Sequence, residues 1–174
     1  IQVLGCYIVG FDNDDEGIFS RQIKFIQESG VVTAMVGLLN ALPKTKLWKR
    51  LMAENRLELD TTGDNTDGTI NFIPKMDKDM LINGYRSMVR TIYSPRYYYR
   101  RVCNFLEHYQ PRRSSAMQRH DIKAFCKSIF YLGIVGNGVS QWYYWKMLCK
   151  SIIFHRKLLP DAIKLMVFGY HFRK

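Results

Sequence analysis

What this sequence has little of narrows it first. Its 4 cysteines, Cys6, Cys103, Cys126 and Cys149, are scattered, with no CxxC or other tight spacing. That argues against a zinc site or a cysteine-ligated cluster built from this chain alone. In a chain without a visible signal peptide, dispersed thiols read as reduced and buried, as in cytosol. With 5 prolines, 12 glycines and a 47% hydrophobic content over 174 residues, the chain is too apolar and too poor in breakers to be disordered. No Met precedes Ile1 and no polar lead-in precedes the first apolar run, so a fragment of a longer protein is expected.

Acidic residues are nearly missing from the second half. Residues 1–89 hold 10 Lys/Arg and 12 Asp/Glu, a net −2, and residues 90–174 hold 16 and 3, a net +13. The back half is thus a basic module, and basic patches attract the phosphates of nucleic acid or lipid head groups. Metal-ligand patterns are lacking too: His108, His120, His155 and His171 show no i, i+4 spacing. No Ser/His/Asp set can be argued from residue order. No catalytic residue and no metal ligand is therefore expected within this chain. The charge-free run Ser128 to Trp145 has the length of a membrane span. Gly133, Gly136, Asn137, Gly138, Ser140 and Gln141 interrupt it, and it reads as helix, turn and helix start.

What is present begins with Val3 to Val9, a nearly continuous apolar run suited to a strand covered on both faces. Asn13-x-x-Glu16 has capping-box spacing, and Ile18, Phe19, Ile23 and Ile26 follow at helical period. Gly30 stands where a C-terminal cap belongs. Val31 to Leu39 is the next strand, completing a βαβ unit. Thr45 is placed to cap a helix from Lys46 to about Asn55, with Leu47, Trp48, Leu51 and Met52 inward. Asp60 to Asn71 is a long polar loop. After Pro74 the pattern is helical: Asp77 to about Tyr93, Pro95 to about Tyr109, Ala116 to Ile134, Val139 to about Lys157, and Pro160 to near Phe172. The expected fold is an α/β fragment followed by an all-α part of about five helices. Its divisions are residues 1–58, a connecting loop 59–75, and a helical domain 76–174. In a parallel sheet, ligands bind at the carboxyl ends of strands, which here are Gly10 to Asn13 and Asn40 to Thr45.

Gly10-Phe11-Asp12-Asn13-Asp14, Ile18-Phe19, Ala41-Leu42-Pro43, Asn65-Thr66-Asp67-Gly68, Asn71-Phe72-Ile73-Pro74-Lys75 and Tyr93-Ser94-Pro95 together carry a resemblance. The chain resembles the C-terminal part of cobalamin-binding radical S-adenosylmethionine (SAM) proteins with a helical C-terminal domain of unknown function (DUF4070 type), a group that includes the hopanoid methylases. The resemblance covers residues 1 to about 110 well and the rest by general character. It implies the last βαβ of a partial (β/α) barrel, with SAM, a [4Fe–4S] cluster and cobalamin as cofactors. The CxxxCxxC cluster motif and a cobalamin segment are absent here, so both cofactors would be held mainly by an upstream part, and this fragment alone is expected to be inactive.

By the same resemblance, Ile8 and Gly10 approach the adenine of SAM, Leu42 and Pro43 close the other side, Asp12 and Asn13 hydrogen-bond the ribose or methionine groups, and Gly5 is a further cofactor-binding residue. For Asn13, helix capping is an equal alternative. Two departures stand out: an extra residue between Gly5 and Ile8, and Lys44 where the family usually has glycine. The implied reaction is methyl transfer to an unactivated carbon of a lipid-like or other small-molecule substrate. A radical SAM enzyme that transfers no methyl is a rival.

A second rival is a non-catalytic basic module. Arg96, Arg100, Arg101, Arg112, Arg113, Arg119, Lys123 and Lys127 interleave with Tyr97, Tyr98 and Tyr99, as single-stranded nucleic acid or a membrane interface would require. Trp142-Tyr143-Tyr144-Trp145-Lys146 favours the membrane, making nucleic acid the less expected partner. The expected location is cytoplasmic, with peripheral contact at the inner face of an anionic membrane.

Overall fold

A parallel pair of strands cannot be closed by a tight turn, so the chain must cross over between them. In the computed structural model, which describes residues 3–58, 63–110, 125–135, 138–154 and 158–172, β1 (Leu4–Val9) and β2 (Thr33–Leu38) are joined through α1 (Ile18–Glu28). They pair in parallel from Leu4 opposite Thr33 to Val9 opposite Leu38. The C-cap N–H of Ser29 returns to the Phe25 carbonyl, and Gly30 turns left-handed at φ 73°, as its position predicts. β2 is buried at every position but Met35.

β1 departs from expectation. Only Val9 is fully buried, while Leu4 and Cys6 are exposed. Among the described residues β2 is its sole strand neighbour, so the cover that its apolar run calls for is not supplied.

The chain divides into two compact units, residues 1–29 with 33–91, and residues 30–32 with 92–174. In the first, α2 (Lys46–Ala53) begins where Thr45 accepts the Trp48 N–H, and α3 (Lys78–Ile92) where Asp77 accepts the Met80 N–H at 2.8 Å. Leu51 is inward and Met52 is not. On α3, Leu81, Tyr85, Met88 and Ile92 are buried, whereas Met80 is exposed. α3 approaches α1 closely: a Cβ on Gly84 would lie 2.3 Å from the Phe19 ring.

The segment after the long loop is stitched back to the sheet. Leu57 bridges Phe72, and Ile73 N–H donates to the Arg56 carbonyl at 2.8 Å. Asn71, 4% exposed, accepts from the Ala41 N–H and donates to the Ala41 carbonyl, both at 2.9 Å. Its own N–H donates to the Asn40 side chain at 3.2 Å. Leu38 N–H donates to the Asn65 carbonyl, so the loop occupies the outer edge of β2. The Tyr85 hydroxyl donates to the Val36 and Thr66 carbonyls.

The second unit packs α4 (Pro95–His108), α6 (Gly138–Phe154) and α7 (Leu159–His171). The Tyr98 hydroxyl donates to the Leu165 carbonyl at 2.6 Å, and its ring presses on Gly169, where a Cβ would sit 2.3 Å away. Arg101, expected on a basic-aromatic surface, is 1% exposed. It donates to the Ile92 carbonyl at 2.7 Å and the Val32 carbonyl at 3.3 Å, with the rings of Tyr93 and Tyr98 at 5.6 and 5.4 Å. Tyr98 and Tyr99 are buried with it, which removes three members of the expected basic-aromatic surface. Arg96 and Arg100 remain outside.

Residues 129–134, expected as ordinary helix, form the π-helical α5 (Ile129–Ile134). The expectations for residues 111–124, for Gly136 and Asn137, and for the helix end at 155–157 fall outside the described residues. The cysteines are free, as expected, but Cys6, Cys126 and Cys149 are exposed rather than buried. Among the described residues no helix is long and apolar enough to cross a membrane.

Because Asn71 satisfies both main-chain groups of a fully buried Ala41, Asn71→Ala leaves two polar groups without partners. Its urea unfolding free energy should fall by about 2–3 kcal/mol. A change below about 0.5 kcal/mol would show that water replaces the amide.

Candidate functional site

The carboxyl ends of β1 and β2 lie next to each other because the strands are parallel neighbours, and the Leu39 N–H donates to the Val9 carbonyl at 2.8 Å. Gly10 leaves β1 at φ 105°, a region closed to side chains, and a Cβ there would stand 3.3 Å from Leu81. The carboxylate of Asp14 accepts the N–H groups of Gly10 at 2.8 Å and Phe11 at 2.9 Å. The expected capping box does not form: α1 starts at Ile18 with Gly17 as its N-cap. The two amides at the left-handed turn take the nearest carboxylate, and Asp15 pairs instead with Arg21 at 2.8 Å. Asn13 is exposed, with no side-chain hydrogen bond among the described residues.

Asp12 is held from the other strand's side. α2 ends with the Arg56 N–H bonded to the Leu51 carbonyl and the Asn55 N–H to the Met52 carbonyl, around a left-handed Asn55 at φ 54°. That is a Schellman termination with asparagine in the usual glycine position. It delivers Arg56 to Asp12, with Nη2 to Oδ1 at 2.7 Å and Nη1 to Oδ2 at 3.3 Å. Arg50 adds a contact to Oδ2 at 2.8 Å. The Asp12 and Arg56 side chains are each 14% exposed, so this pair is shielded better than a surface ion pair. The hydrogen bond from Arg56 lowers the Asp12 pKa, and burial opposes this only in part. The same bond raises that of Arg56.

Of the residues expected at a site, Gly10 and Asp12 are brought together in the loop after β1. Leu42 and Pro43 are exposed in the loop after β2, with Leu42 44% accessible. Ile8 is half-buried, and so is Gly5, where the Tyr7 ring occupies the place of a Cβ. Lys44 adopts φ 69°, so the turn keeps a glycine-like backbone despite the lysine. Thr45 Oγ1 closes that turn by donating to the Leu42 carbonyl at 2.7 Å.

Sequence reasoning missed Arg50 and Arg56, and the structural roles of Asn40 and Asn71. The one available signal was Asn71-Phe72-Ile73-Pro74, in which Asn71 holds Ala41, Phe72 bridges Leu57 and Ile73 donates to the Arg56 carbonyl. Chemically, the strand ends offer two exposed apolar side chains, Phe11 and Leu42, beside a left-handed glycine. A flat, largely apolar ligand suits such a surface. Among the described residues no group of His, Cys, Asp or Glu is placed to hold a metal ion.

A family model described as a domain of unknown function (DUF4070) matches residues 45–174. The chain belongs to the DUF4070 family. This DUF4070 chain is 32% identical over 133 residues to an uncharacterized methyltransferase of Synechocystis sp., covering 74% of this chain and 25% of that protein. It is 27% identical over 180 residues to the hopanoid C-2 methylase of Rhodopseudomonas palustris, covering 98% of this chain and 32% of that methylase. The chain therefore spans a quarter to a third of the length of these curated relatives. No solved structure matches it significantly.

The Asp12–Arg56 pair carries a pH signature. The folded-state pKa of Asp12 is lowered, so its contribution is present above the unfolded value near 3.8 and is lost as pH falls through the folded one. Asp12→Asn in the DUF4070 chain should lower stability by about 1 kcal/mol at neutral pH. It should also flatten the acid limb of the unfolding midpoint below pH 4; an unchanged acid limb would assign that limb to other carboxylates.

Proposed function

We propose that this DUF4070 chain is the C-terminal part of a cobalamin-dependent radical SAM methyltransferase, in which the ends of β1 and β2 form the adenine side of a SAM pocket. The observation that carries the reading is the pairing of the two strand ends. Gly10 turns left-handed there, and Phe11 and Leu42 are apolar and open to solvent. The methyltransferase and methylase names of both curated relatives support methyl transfer.

The residues fit an adenine better than a charged group. The amides of Gly10 and Phe11 are already taken by Asp14, and the Asp12 carboxylate by Arg56 and Arg50. What stays open is apolar surface and main-chain edge, which would hold the purine through contact with Ile8, Leu42 and Pro43. When bound, SAM, an iron–sulfur cluster and cobalamin supply hydrogen abstraction and the methyl group. The chain's own residues position and exclude water.

The described residues do not fit the cluster: the four cysteines are free, and none joins a ligand group. Its ligands, and those of cobalamin, would come from other parts of the intact enzyme, and residues 1–174 alone would be inactive. A lipid-like substrate is proposed by analogy with the named hopanoid methylase.

The test is to incubate the intact enzyme that would contain this chain, reconstituted anaerobically with reductant, with methyl-labelled SAM and a lipid extract. Label in an extracted lipid together with 5′-deoxyadenosine is expected, and neither from the 174-residue chain. Methylation without 5′-deoxyadenosine would contradict the radical assignment. 5′-Deoxyadenosine without label in any product would contradict methyl transfer and favour a radical enzyme of another kind.

A further inference from the structure

The second unit carries a surface that the site at the strand ends does not use. α6 is apolar nearly all round, and only one side of it is packed. Tyr144, Met147, Leu148 and Ser151 face inward and are buried. Val139, Trp142, Trp145 and Ile153 recur at three- to eight-residue intervals on the other side and are 41% to 68% exposed. Ile153 lies fourteen positions after Val139 along α6, a stripe about 21 Å long. α5 extends it, because Trp145 Nε1 donates to the Gly133 carbonyl at 3.2 Å and Gln141 Nε2 to the Ile134 carbonyl at 2.6 Å. Phe130 and Ile134 of α5 are more than half exposed. A monomer does not ordinarily leave aromatic and aliphatic side chains contiguous in water without a use for them.

The charges around the stripe choose its occupant. The sequence has no Asp or Glu between Asp121 and Asp161, while Lys127, Lys146 and Lys150 fall within the described part of that stretch. Lys127 and Lys146 are exposed, and Lys146 sits 4.6 Å from the Trp142 ring centre, a cation on the face of an outward indole. Lys150 is engaged by Glu107 of α4 at 2.8 Å. Tryptophan with lysine beside it is the composition that seeks the head-group region of a bilayer, with rings at the boundary and ammonium groups on phosphate. A second copy of the same face would instead set two lysine-bearing, acid-free surfaces against each other. Two lysines in the middle turns of α6 suit a helix lying along a surface rather than through it.

We infer that the outer face of α6, continued by α5, is a peripheral docking surface for an anionic lipid bilayer, and this rests on neither the adenine pocket nor methyl transfer. The test is co-sedimentation of the whole 174-residue chain with phosphatidylcholine vesicles, pure or with roughly 30% phosphatidylglycerol, at low ionic strength. Partition into the anionic vesicles is expected, weaker into neutral ones, and reduced by salt. The double variant Trp142→Ser/Ile153→Ser alters two side chains that are both more than half exposed. With far-ultraviolet circular dichroism unchanged, it should lower the partition coefficient about tenfold or more. Lys127→Gln/Lys146→Gln should abolish the difference between the two vesicle types while leaving residual neutral binding. Absence of binding to anionic vesicles, or binding that both double variants leave intact, would overturn the inference. So would sedimentation velocity showing that Trp142→Ser/Ile153→Ser disperses a stable dimer, which would give the stripe to a second copy.

Discussion

Parallel pairing of β1 with β2 is the constraint from which the first unit follows. A parallel pair obliges the chain to cross over, which fixes α1, and it puts both carboxyl ends on one side, which fixes the site. The loops that leave those ends must then be held, since loop main chain without partners is costly to bury. Three clasps do this. Asp14 takes the two amides after β1, Asn71 takes both main-chain groups of Ala41 after β2, and Asp12 joins the first loop to Arg50 and Arg56 at the end of α2. The polar groups at the strand ends are thereby largely used in making the platform. What they leave open is apolar surface at Phe11 and Leu42.

Most local signals were legible in the sequence, the capping box expected at Asn13 to Glu16 being an exception. Gly30 after α1, Thr45 and Asp77 as N-caps, and Pro95 in the first turn of α4 all act within a few residues of themselves, and all appear where the pattern places them. The strand pair was legible for the same reason, since apolar runs and helical period are local. The DUF4070 membership was legible through a set of short words, each weak and jointly specific.

Long-range pairing was not legible. Asp12 and Arg56 are 44 residues apart, and nothing near Asp12 announces that its carboxylate will be engaged; three acidic neighbours compete for the same roles. Arg101 sat in a run of tyrosines and arginines that reads as a surface, yet aromatic rings and two carbonyls make it core. The exposed cysteines and the exposed β1 show a related limit. Burial depends on what else is packed against a segment, and β1 has only one strand neighbour among the described residues. In α6 the uniform apolarity hid which side would be packed, and that was settled by α4, α5 and α7 rather than by α6 itself.

The proposed contact is that of the β1 and β2 ends with the adenine of SAM. It is tested most directly by photolabelling an intact radical SAM protein that would contain this chain, using SAM bearing an azide on the adenine ring, followed by peptide mapping. The account predicts label within residues 5–13 and 40–45, suppressed by excess unlabelled SAM. Competable label confined to other parts of the protein, with these two segments unmodified, would contradict it.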